Sequence, residues 1–92
     1  MRALSHVIPS ALLQLLRDAP LSNGKVGFAW RTAVGPAVDR ATRVKLDGRV
    51  LIVETTSSQW TREISRSSAV ILQRMQGFLG ADTVERIEVR RA

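Results

Sequence analysis

His6 is the only histidine in the chain, cysteine is absent, and the eight carboxylates are scattered, most of them beside arginines. General acid–base catalysis needs titratable groups held together at the reacting atoms, and no such pair is legible here. Without cysteine there is no thiolate nucleophile, no disulfide and no sulfur-ligated metal. No His, Asp or Glu set has the spacing of metal ligands. A Gly-x-x-x-x-Gly-Lys phosphate loop is also missing, so nucleotide hydrolysis is not expected. The residues point to a protein that is not an enzyme and uses no cofactor.

The chain is rich in arginine instead. Fourteen basic residues oppose eight acidic ones for a net charge of +6, and only Lys25 and Lys45 among them are lysines. Arginine grips phosphate through two parallel N–H donors and stacks on bases, so the expected partner is a polyanion such as nucleic acid. Charge of this kind supplies affinity without sequence preference. Two groups stand out. Arg43, Lys45, Arg86 and Arg90 alternate with apolar residues along two stretches, with Val50 and Ile52 expected beside them. Arg62, Arg66 and Arg74 follow one another at helical spacing, where a solvated helix face is the simpler reading.

The elements that position these groups follow from periodicity. Trp60, Ile64, Ser68, Ile71, Met75 and Phe78 recur every three or four residues, which predicts one long helix over Ser58 to Leu79. Ser57 or Ser58 caps it, and Gly80 stops it. Upstream, Ile8 to Asp18 reads as a helix with Ile8, Leu12, Leu15 and Leu16 on one side and Pro9 in its first turn. Lys25 to Val34 reads as a second, capped by Ser22 or Asn23, burying Val26, Trp30, Ala33 and Val34, and stopped by Gly35-Pro36. Pro36 to Arg40 can add one turn.

Then the period falls to two. Thr42, Val44 and Leu46 alternate with Arg43 and Lys45, and Asp47-Gly48 predicts a two-residue hairpin turn. That turn sets Leu46 opposite Arg49, Val44 opposite Leu51 and Thr42 opposite Val53. Leu51, Val53 and Thr55 then face inward, while Val50, Ile52 and Glu54 lie outside with Arg43 and Lys45. Val84 to Arg91 reads as a third strand, parallel to the one before the long helix, with Ile87 and Val89 inward and Arg86, Glu88 and Arg90 outward. The order is α-α-β-β-α-β, an α/β (α+β) chain with a small mixed three-stranded sheet. Ninety-two residues suit a single domain. The start lacks the apolar core of a signal peptide, and the Ala11 to Leu16 run is far below membrane-spanning length, so a cytoplasmic protein without membrane contact is expected.

Trp30 and Trp60 lie on the apolar sides of their helices. Periodicity accounts for both as core, together with Val34, Ile64, Ile71, Met75 and Phe78. A base-stacking or partner-anchoring role is the alternative for the two tryptophans.

The ordered set Phe28-Ala-Trp30-Arg-Thr-Ala-Val34-Gly35, Ala41-Thr42, Asp47-Gly48 with Val50-Leu-Ile-Val53, and Ser57-Ser-Gln-Trp60-Thr-Arg-Glu-Ile64 resembles the DciA family. Leu79-Gly80 and the strand from Val84 to Val89 extend the resemblance over essentially the whole chain. It implies a KH-like α/β domain of bacterial replication that binds the hexameric replicative helicase (DnaB type) and helps place it on single-stranded DNA. KH domains proper clamp nucleic acid with a Gly-x-x-Gly loop, and no such loop is read here. Other readings of the same residues are a KH-like RNA-binding protein or a basic structural interaction module. The sequence leaves oligomeric state open.

Overall fold

The computed structural model describes residues 9–92, with Leu12 and Leu13 described in their backbone only. The expected placements of His6, Ile8 and the Leu12 side chain lie outside the described residues. The elements run α1 (Ser10–Asp18), α2 (Asn23–Val34), α3 (Pro36–Arg40), β1 (Thr42–Asp47), β2 (Val50–Thr55), α4 (Ser58–Arg66), α5 (Ser68–Leu79) and β3 (Arg86–Arg91). The fold is α+β. Its sheet has the order β1-β2-β3, with β1 antiparallel and β3 parallel to the central β2.

Capping chemistry explains most of the boundaries. Ser22 accepts the Lys25 N–H at 3.1 Å to start α2, and Ser57 accepts the Trp60 N–H at 3.1 Å to start α4. Pro9 stands just outside α1 as its N-cap, not in the first turn. Gly35 ends α2 at φ 87 and ψ 165, and Pro36 opens α3 one residue later. That backbone region is open almost only to glycine, so Gly35→Ala should destabilise the fold by about 1–3 kcal/mol. A lowered urea midpoint with an unchanged slope is the expected reading. An unchanged midpoint would mean the corner relaxes into another conformation.

The long helix is broken. Ser67, at φ −99 and ψ 8, separates α4 from α5 and shares its N–H between the carbonyls of Glu63 and Ile64, each at 3.2 Å. Serine side chains compete for backbone hydrogen bonds and weaken helix interiors, and Ser65, Ser67 and Ser68 cluster at this point. The break lets α4 lie against β3 and β2 while α5 packs on α2 and α1.

The hairpin also differs from its expected register. Leu46 faces Leu51, Val44 faces Val53 and Thr42 faces Thr55, so the loop residues are Gly48 and Arg49. A turn centred on Asp47-Gly48 would need positive φ at Asp47, and no described residue other than glycine has it. Gly48, at φ 61, takes the first loop position instead, as in a type II′ turn. The register moves by two residues, which is one full pleat, so every side chain keeps its expected face.

The core sits between the helices and one face of the sheet. Trp30, Val34, Ile71, Met75, Phe78, Leu51, Val53 and Val84 are buried there, with Ile64 beside them and Val44, Leu46, Ile87 and Val89 at its margin. Trp30 also donates its Nε1–H to Thr42 Oγ1 at 2.9 Å. Trp60 differs from its expected place in the core: it is half-buried and packs against the cluster from its edge. It stands in the first turn of α4, where the core covers it only in part. Leu15 is 68% exposed, whereas Leu16 is buried. The helix rotates to bury only the second of this pair.

Candidate partner-binding surface

The sheet contributes core residues from one face only. The strand registers arrange the opposite face as three rows across β1, β2 and β3: Arg43–Glu54–Arg90, Lys45–Ile52–Glu88 and Asp47–Val50–Arg86. Arg43, Lys45, Arg86 and Arg90 are therefore brought together as expected from alternation, with Val50 and Ile52 between them. They are accompanied by three carboxylates, so the charges alternate and the face as a whole is close to neutral.

Its two sides differ. On β3, Glu88 binds Arg90 closely and lies 3.5 Å from Arg86, so both β3 cations share one carboxylate. The Arg90 hydrogen bond, reinforced by the charges of Arg90 and Arg86, holds the Glu88 carboxyl below its usual range despite partial desolvation. It therefore stays ionised at neutral pH and keeps both arginines occupied. On β1, Arg43 and Lys45 are exposed and form no ion pair with any described residue. Glu54, flanked by Arg43 and Arg90 in register, is likewise outside ion-pair distance.

Ile52 departs from the expected open position. Only 3% of it is exposed, although it stands outside the core cluster. Its row neighbours Lys45 and Glu88 are long side chains whose aliphatic stems can cover it. Val50, near the hairpin, is half-buried and is the accessible apolar residue of the face.

The helical arginines separate in the same way. Arg62 and Arg66 are exposed on α4, and Arg66 lies 3.7 Å from Glu63 one turn earlier. Such an exposed pair contributes little. Arg74 does not belong to a solvated face: it donates Nη1 to the Ala33 carbonyl at 3.1 Å and ties α5 to the end of α2. Arg17 does similar work, donating Nε to Gly77 O at 3.0 Å and holding α1 on α5.

Sequence reasoning missed a second surface. Leu15, Leu16, Ala19, Gly24, Lys25 and Phe28 line an open apolar depression of 490 Å³ between α1 and the start of α2, and Phe28 is 46% exposed. No sequence signal marked it, since Leu15 and Leu16 both fit the apolar stripe of α1 and only packing leaves Leu15 outside the core. The spacing Gly-x-x-Gly does occur twice, at Gly24–Gly27 and Gly77–Gly80. The first lies within the opening turns of α2 and the second spans the end of α5, so neither forms a free loop. Among the described residues, no group of three or more His, Cys, Asp or Glu side chains could hold a metal ion, and no helix is long and apolar enough to cross a membrane.

The α+β fold thus holds one charged, alternating sheet face outward. The family model described as Dna[CI] antecedent, DciA, matches residues 3–89, and the chain belongs to the DciA family. Membership implies a role in helicase loading in general terms. No match was found among curated proteins or among solved structures.

Proposed function

We propose that this chain is a non-enzymatic cytoplasmic adaptor that binds the bacterial replicative DNA helicase, of the DnaB type, and assists its loading on single-stranded DNA. The family match over residues 3–89 carries this reading. A chain that hydrolyses no nucleotide must act through binding free energy alone. It can favour one conformation of the helicase ring, or bring ring and strand together.

The open sheet face suits a protein partner. Alternating charges set register and reject mismatched surfaces, and a semi-exposed aliphatic such as Val50 adds burial. A pure phosphate-binding surface would gain nothing from Asp47 and Glu88 in the rows of Val50 and Lys45. Size-exclusion chromatography of the chain with purified helicase tests the first half of the proposal. Co-elution that weakens as salt rises is expected; separate elution even at low salt would reject it.

A further inference from the structure

The positive charge of the sheet is concentrated at one end of the strands, not spread across the face. β1 begins where β2 and β3 finish, and this end gathers Arg43, Arg90 and Arg91, with Arg40 on the last turn of α3 beside it. Of the four arginines here Arg90 is already held by Glu88, and the other three meet Glu54, and Asp39 on α3. The hairpin end carries Arg49 and Arg86 against Asp47 and Glu85, a balanced set, and the Glu85 N–H donates to Arg49 O at 2.7 Å to join the two loops.

The basic end is also concave. An open cavity of 370 Å³ is lined by Arg40, Arg43, Glu54 and Thr56, with Thr42 and Ala92 among its other lining residues. Arg40 and Arg43 are exposed, and neither forms a hydrogen bond or ion pair with any described residue. Each guanidinium therefore keeps its five N–H donors for a ligand. Beside them Arg91 spends one donor on Ser58 Oγ, at 2.7 Å, and retains the rest. Thr56 is exposed and adds a hydroxyl. Two unengaged planar forks lining one cavity match the doubly bonded contacts that phosphate oxygens accept.

We infer that Arg40 and Arg43 form a phosphodiester-binding site at this end of the sheet, with Arg91 and the Thr56 hydroxyl beside it, meeting the protein-binding face only along its Arg43–Glu54–Arg90 row. The inference rests on the proposal that the chain touches single-stranded DNA, and adds where. It gives the strand a place at one end of the face and leaves the Lys45 and Val50 rows to the helicase, so both can be held together. Glu54 keeps the pocket from being uniformly basic, so a single phosphate is held weakly and affinity comes from a strand.

The test is fluorescence anisotropy of a labelled oligo-dT against salt, with circular dichroism to check folding. Arg40→Ala with Arg43→Ala should weaken binding on the order of tenfold at low salt. It should also flatten the log–log salt slope by about 1.4, near 0.7 for each phosphate that an arginine no longer neutralises. Lys45→Ala with Arg86→Ala, on the centre and far end of the face, should change affinity less than about twofold, since neither touches the site. Inorganic phosphate at matched ionic strength should not displace the strand. The opposite ranking of the two pairs, with wild-type binding intact, would overturn the site alone. Displacement by inorganic phosphate would reduce it to a free-anion site. No wild-type binding would overturn both the site and the DNA-contact proposal.

Discussion

Trp30→Ala should unfold most of the population at physiological temperature. Trp30 is 1% exposed, sits between α2 and the sheet, and carries a hydrogen bond to Thr42 whose hydroxyl in turn donates to Val38 O at 2.8 Å. Truncating a buried tryptophan costs about 3–5 kcal/mol through lost transfer energy and the cavity left behind. Total stability for a domain of this size is only about 5–10 kcal/mol, near its lower end for so small a core. Trp60→Ala should cost clearly less, about 1–2 kcal/mol, because the ring is half-buried at the edge of the cluster. Chemical denaturation of both variants makes the comparison. Equal losses would mean that Trp60 belongs to the core after all.

Replacing Lys45 with Glu and Val50 with Thr should abolish most helicase capture while leaving the fold intact. Lys45 is exposed and unpaired among the described residues, and Val50 is the accessible aliphatic of the face. Reversing a steering charge and removing an apolar anchor on one surface should cost about 2–3 kcal/mol of binding, or roughly 30- to 150-fold in Kd. Threonine keeps the branched Cβ that suits a strand, so stability should move by less than about 1 kcal/mol. Surface plasmon resonance with immobilised helicase reads the difference. Full binding by this variant would shift the helicase surface away from the sheet, and the apolar depression of Leu15 and Phe28 would be the next candidate.

Helices and strands were readable because apolar spacing reports burial directly, and side-chain faces survived even where register did not. Asp-Gly predicts a turn but not where it sits in the loop; Gly48 takes the positive φ as the first loop residue, with Asp47 left in the strand. The break at Ser67 was hidden because Ile64 and Ile71 keep helical phase across it, although the serine cluster was visible. Ile52 could not be read as buried, since its cover comes from neighbouring strands that only pairing brings close. Arg74 looked like its neighbours on the helix, and only the end of α2, 41 residues away in sequence, gives it a carbonyl to hold. Arg40 is silent in the sequence for the same reason: nothing local tells a helix-end arginine that Arg43 and Thr56 will share its cavity.

Loading of purified helicase on primer-free single-stranded DNA, with and without this chain, tests helicase loading most directly. The amount of helicase on DNA should rise when the chain is added, the effect should shrink as salt increases, and the chain alone should release no phosphate from ATP. A helicase that loads equally well without it at low salt, with no complex between the two proteins, would contradict the proposed function.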